Sequence, residues 1–216
     1  MTKVERRQRE QQELRRRILD TAREIARTEG WSNVSLRKIA DRIEYSHAAL
    51  YVYFESKEAL FVAVLREGFR LLLQDLQAAK STADTPEKAL LNVALAYWRF
   101  AWRSPELYKV MYGLDGVPFG VIETRLEGQQ IGDAVAEVVR TCLEHSHTSD
   151  VAVQEKVSLL WSTVHGLIAL AMAGRLVEDT KQQEALVERM IHNALLAWLH
   201  EDEAEGTEHL SRSPSI

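Results

Sequence analysis

The chain has 216 residues, 46% of them hydrophobic and 27% charged, with 27 Lys/Arg against 32 Asp/Glu and a formal net charge of -5. This is enough apolar material for a real core, and a length that suits a small module joined to a larger one. It excludes a disulfide-stapled scaffold, because the single cysteine, Cys142, has no partner and suits a reducing compartment. The charged N-terminus is no secretory signal, and no apolar run approaches the roughly 20 residues that cross a bilayer, so a soluble, cytoplasmic protein without a membrane partner is expected.

With only 10 Gly and 4 Pro, and with Ala, Leu, Glu, Arg and Gln dominant, an all-α fold is predicted. Residues 1–13 are polar, with Lys3, Arg6, Arg7 and Arg9 near the start. They read either as a frayed or solvated helix extension or as a basic arm touching DNA phosphates or the minor groove. From Leu14 the helical period is visible: Leu14, Ile18, Ala22, Ile25 and Ala26 share a face, and Gly30 stops the helix. Trp31 follows as a candidate core plug.

The stretch 35–57, SLRKIADRIEYSHAALYVYFESK, carries the strongest pattern. Leu36, Ile39, Ala40 and Ile43 fall at i, i+3, i+4 and i+7, one face of a short helix. Ser46 is a natural cap for a second short helix bearing His47, Ala48, Leu50, Tyr51 and Tyr53. Two short helices about a tight turn form a helix-turn-helix, whose second helix enters the major groove of DNA. Charge agrees: residues 1–57 hold 13 Lys/Arg against 9 Asp/Glu, whereas 58–216 hold 14 against 23. Basic charge gathers where phosphates must be neutralised.

Ser56 then caps a helix expected to run to about residue 79. Residues 14–56 are too few to bury much alone, so they should lean on it. Pro86 suits the first turn of an aromatic helix over 86–104, and Ser104-Pro105 marks a stop and restart. A loop with Gly113, Gly116 and Pro118 precedes a helix over 119–144. A polar turn at 145–150, long helices over about 151–177 and 181–199, and a disordered acidic and Ser-rich tail at 201–216 complete the chain. The domain reading is 1–57 for the helix-turn-helix module, 58–200 for a larger helical domain, and 201–216 for the tail, with about nine helices in all.

Arg17, Ile18, Ala22, Gly30, Trp31, Val34, Ser35, Leu36, Arg37, Ile39, Ala40, Ser46, Ala49, Leu50, Tyr51, Tyr53, Phe54, Lys57 and Leu60 together resemble the DNA-binding signature of the tetracycline-repressor (TetR) family. One departure lies in the turn, where the family usually has Gly and this chain has Glu44; a left-handed turn there would strain a residue with a Cβ. The Trp161-Ser162-Thr163-Val164-His165-Gly166 element, with Pro105, Glu106, Leu107 and Tyr108, resembles a regulatory subfamily. The resemblance implies a homodimer through the last two helices, an effector pocket in the larger domain, and repression relieved by a small molecule. A ligand-independent regulator, an activator, or a helical enzyme or carrier without DNA binding are the alternatives.

The expected DNA face is Ser35, Arg37, Tyr45, Ser46, His47, Ala48, Tyr51, Tyr53 and Lys57. By resemblance Tyr51, Tyr53 and Lys57 meet phosphates; His47 and Ala48 are candidates for base edges. Trp98, Trp102, Tyr108, Tyr112, Phe119, Trp161 and His165 are candidates for an effector pocket, although each also suits an ordinary core. His145, His147 and Asp150 are too few for a metal site, and Cys142 reads as inert packing. No catalytic motif is present, so neither an enzyme nor a cofactor is expected.

Overall fold

A computed structural model describes residues 2–114, 123–143, 149–176 and 179–211, with side chains described as far as Trp198. Among the described residues there are nine α-helices, one 3-10 turn and no strand: α1 (Lys3–Glu29), α2 (Leu36–Ile43), α3 (His47–Tyr51), α4 (Lys57–Ser81), α5 (Pro86–Arg103), α6 (Pro105–Met111), α7 (Arg125–Cys142), α8 (Asp150–Met172) and α9 (Thr180–Ser211). They pack as two units. One comprises Met1–Leu71 with Ala101–Gly128, the other Leu72–Phe100 with Gln129–Ile216. This division departs from a boundary at residue 57.

In the first unit, α1 begins much earlier than the apolar period alone indicates. Thr2 and Glu5 form a reciprocal capping box, with Glu5 N–H donating to Thr2 Oγ1 at 3.2 Å and Thr2 N–H to Glu5 Oε2 at 2.7 Å. The pairs Arg6–Glu10 at 3.3 Å and Arg9–Glu13 at 3.1 Å then brace the exposed extension one turn apart. Residues 3–13 are therefore helical, continuous with the rest of α1. Ile18, Ala22 and Ile25 of α1 meet Ile39 of α2, Leu50 of α3 and Leu60 and Phe61 of α4 in a core closed to solvent.

Trp31 completes this core. Its ring centroid lies 5.2 Å from that of Phe61, and its indole N–H donates to the Glu106 carbonyl at 2.7 Å. The Glu106 carboxylate, itself buried, accepts from Arg23 Nη2 at 3.0 Å, and Arg23 Nη1 reaches Glu67 at 3.5 Å. Helix α6 thereby packs on α1, which is why it joins the first unit. Gly68 of α4 permits the same approach: a Cβ there would lie 2.6 Å from Met111 Sδ.

The second unit takes the remainder of α4 and α5 with α7, α8 and α9. Leu72, Trp98, Phe100, Val139, Ile168 and Val187 form its core. Arg99 forks onto Glu184, with donors at 3.0 and 2.8 Å from its two carboxylate oxygens, and so ties α5 to α9. That guanidinium holds the Glu184 carboxyl below its ordinary range, against the opposing effect of burial. Lys80 of α4 pairs with Glu137 of α7 at 2.7 Å.

Helix ends follow their caps. Pro86 opens α5, with Thr85 accepting from Lys88 N–H at 3.3 Å. Ser149 caps α8, which closes at Gly174 before residue 177 is reached. Helix α9 runs on to Ser211 through the acidic stretch expected to be disordered. Glu, Ala and Leu are strong helix formers, so a composition poor in core-forming residues still favours helix. Residues 212–216 lie outside the described residues.

Candidate nucleic-acid interface

Three serines build the interface. Ser35 accepts from Lys38 N–H at 3.2 Å and starts α2; Ser46 accepts from Ala49 N–H at 3.2 Å and starts α3; Ser56 accepts from Ala59 N–H at 3.1 Å and starts α4. Between the first two helices Glu44 adopts φ 59° and ψ 42°, the left-handed region. It is the one non-glycine residue with positive φ among the described residues. The bend brings Tyr45 N–H back to the Ala40 carbonyl at 3.0 Å, closing α2.

None of the nine expected DNA-face residues is buried. Arg37, Tyr45, Ser46, His47, Ala48 and Tyr51 are exposed, while Ser35, Tyr53 and Lys57 are half-exposed. The tyrosines Tyr45 and Tyr51 keep 42% and 48% of their surface in solvent, a large exposure for rings beside a closed core. The rings of His47 and Tyr51 meet edge to face with centroids 5.0 Å apart, so one turn of α3 presents them as a pair. Leu50 and Phe54 point the other way and are buried, as expected for core.

Lys38 and Arg42 of α2 are drawn off to Glu29 of α1, Arg42 at 2.9 Å. The Lys38 hydrogen bond, above all, holds the Glu29 carboxyl below its ordinary range. Lys57 stands in the first turn of α4 with its ammonium 5.3 Å from the Phe61 ring centroid. Beside the interface runs a groove of about 1230 Å³, whose walls include Arg15, Arg16 and Arg70 along with Tyr51 and Tyr53. Two of its residues carry no warning in the sequence pattern. Val52 is 80% exposed beside Tyr51, and Arg15 sits 5.0 Å over the Phe54 ring.

The aromatics expected to line an effector pocket scatter. In the second unit, α4, α5, α7, α8 and α9 border an apolar, partly open slot of about 50 Å³, walled by residues that include Leu76, Ala94, Tyr97, Val135, Trp161 and Val164. Of the expected set, Trp161 lines it; Tyr97, not singled out, faces Trp161 with ring centroids 6.1 Å apart. Trp98 is closed into the core of the second unit, Tyr108 is buried in the first, and Tyr112 packs there against Phe69 and Tyr108. Trp102 is surface-exposed, and none of these four walls the slot. His165 is half-buried, with burial lowering its pKa, and it lies one residue along from the slot residue Val164. Phe119, His145 and His147 lie outside the described residues. Asp150 pairs with Arg140 at 3.2 Å, and no cluster suited to a metal exists among the described residues.

Two family models match the chain. Residues 18–64 match the bacterial regulatory proteins of the tetR family, and residues 90–194 match the tetracyclin repressor-like C-terminal domain. Together they cover well over half of the chain. The chain belongs to the TetR family. Its curated relatives include the HTH-type transcriptional repressor KstR of Mycolicibacterium smegmatis, 33% identical over 101 residues, which are 47% of this chain and 50% of that protein. The chain thus spans about half the length of the first curated relatives it matches.

Among solved structures, a protein of unknown function from Rhodococcus sp. RHA1 superimposes with a TM-score of 0.75 at 24% identity, covering 85% of this chain and 94% of that one. A TetR family transcription regulator from Marinobacter aquaeolei VT8 gives 0.67 at 19%, covering 87% and 97%. These likenesses concern the fold. The TetR family is one of transcription regulators rather than enzymes. Its N-terminal model spans α2, α3 and the strained Glu44 but stops short of the basic extension of α1.

Proposed function

We propose that this TetR-family member works in the cytoplasm as a homodimeric repressor, which binds a pseudo-palindromic operator and lets go of it when a small molecule occupies the second unit. The observation that carries the DNA reading is α3 itself. It is a serine-capped helix of five residues that buries Leu50 and turns His47, Ala48 and Tyr51 to solvent. His47 and Ala48 meet base edges, where an Ala methyl suits a thymine methyl. Tyr51 and Tyr53 donate hydroxyls to phosphates. The capping hydroxyls of Ser35 and Ser46 keep their own O–H for the same purpose, and Arg37 adds a charge. Lys57 stands at the positive end of the α4 dipole, a poor place for a cation in a free helix and a good one beside a phosphate.

Dimerisation is supported by an unpartnered strip on the last two helices. On α8, Leu159 is 61% and Leu170 47% exposed, and a Cβ on Gly166 between them would meet nothing within 4 Å. Leu196 on α9 is 44% exposed. Two copies of this pair make a four-helix interface and set two recognition helices in successive major grooves, about 34–36 Å apart. Helix α4 carries both Lys57 and the slot residue Leu76, so a ligand that favours one setting of α4 favours one spacing of the two recognition helices.

Selection of bound DNA from a random pool tests the proposal. An inverted repeat with half-site centres one helical turn or a multiple apart is expected. Enrichment of a lone half-site refutes the dimer, and no enrichment refutes the DNA face.

A further inference from the structure

We propose that the effector is a slender, uncharged amphiphile: a hydrocarbon body in the slot and a neutral hydroxyl-like head at its rim. This rests on the effector reading above and assigns it a chemistry. No Asp, Glu, Lys, Arg or His side chain lines the slot, and its surface is almost wholly apolar. An ionised group placed there meets no counter-charge and loses its hydration, which is costly. The volume of about 50 Å³ holds a few waters at roughly 10–15 Å³ each and is far below a drug-sized pocket. A single alkyl chain is the slimmest hydrocarbon body and so asks the least rearrangement of a slot this small, whereas a fused-ring body asks much more.

The head has a place as well. A second basin of about 410 Å³ shares Leu76 and Val93 with the slot and is lined by Gln77, Lys80, Ser81 and Glu137. Leu76 and Lys80 stand one turn apart on the same face of α4. The Lys80–Glu137 pair is partly exposed and neutral as a unit, with side chains 37% and 66% accessible. A hydroxyl accepts from the ammonium and donates to the carboxylate. A carboxylate head drawn to Lys80 also meets the like charge of Glu137, and an ammonium head drawn to Glu137 also meets that of Lys80. An ion of either sign has to part the pair to profit from it, whereas a hydroxyl joins it intact, so the rim favours an uncharged head.

The test is calorimetric titration of the full chain with straight-chain primary alcohols from hexanol to decanol, beside the matching alkanoates and alkylamines in their ionised forms. Saturable alcohol binding is expected, tightening about fourfold per methylene until the slot is full, with both ionised series at least tenfold weaker. Ala94→Trp, which fills the slot, abolishes alcohol binding while the variant keeps its helical content and a cooperative melt. Should that variant misfold, Ala94→Leu weakens the longer alcohols first. Ionised heads binding as tightly as alcohols overturn the proposal, as does unaltered alcohol binding by a folded Ala94→Trp. Alcohols that bind this way without releasing DNA uphold the chemistry of the slot and sink ligand release. Alkanoates that bind best and release DNA do the reverse.

Discussion

Replacing Glu44 with glycine should stabilise the protein. Three helices close in the same manner, with an N–H reaching the carbonyl five residues back: Leu114 to Lys109 at 2.9 Å, Arg175 to Leu170 at 2.9 Å and Tyr45 to Ala40 at 3.0 Å. The first two turn on glycines, Gly113 at φ 67° and Gly174 at φ 66°; the third turns on Glu44 at φ 59°. An L-residue with a Cβ loses roughly 1–2 kcal/mol in that region, and glycine returns roughly 0.5–1 kcal/mol of this through its greater freedom when unfolded. The Glu44 side chain is exposed and no partner holds it among the described residues, so little else changes. Glu44→Gly should gain about 0.5–1 kcal/mol, a rise of about 1–4 °C in Tm for a chain of this size, and Glu44→Ala should gain nothing because its Cβ remains. Parallel thermal and urea melts of the two variants decide it. A loss on Glu44→Gly, or an equal gain on Glu44→Ala, would refute a backbone origin for the strain.

Other substitutions probe the packing and the interface. Glu106→Ala leaves the largely buried Arg23 without its 3.0 Å partner and should cost about 2–3 kcal/mol by denaturant melt, less than a fully buried pair because Arg23 keeps some solvent. Gly68→Ala should destabilise by about 1 kcal/mol through the clash with Met111, yet stabilise by about the same amount in a Met111→Ala background, where helix propensity alone acts; equal effects in both backgrounds would remove the clash from the account. Lys57→Ala should lower the slope of log affinity against log salt for selected DNA by about 1, and Tyr51→Phe should weaken binding about threefold to tenfold with the slope kept. Burial pushes the Cys142 thiol up to about 11 from 9.0, so in mildly alkaline buffer it should be alkylated about a hundredfold more slowly than a free thiol. A fast reaction there would show an open site.

The helix-turn-helix was legible in the sequence because everything that makes it is local. Ser35, Ser46 and Ser56 each cap within three residues, and Leu36, Ile39, Ala40 and Ile43 declare their face by spacing alone. Even the strain at Glu44 could be read, since the turn needs a left-handed residue whatever occupies it. The partition into units could not. It depends on Arg23 meeting Glu106 and on Trp31 reaching the carbonyl of the same residue, 83 and 75 positions away. A glutamate in a helix of Pro105–Met111 reads like any solvated acid until its partner is known.

The slot shows the same limit more sharply. Aromatic side chains announce bulk but not the direction in which they leave space. Trp98 and Tyr97 are neighbours on α5 and both are buried, yet one fills the core and the other walls the cavity, a difference of one position in a 100° helical rotation. The aliphatic residues that give the slot its chemistry, such as Leu76, Ala94 and Val135, are those any helical core would contain. What separates a cavity from a core is the volume left unfilled. That volume is set by five helices together and carried by none of them, which is why no single stretch of the sequence announces it.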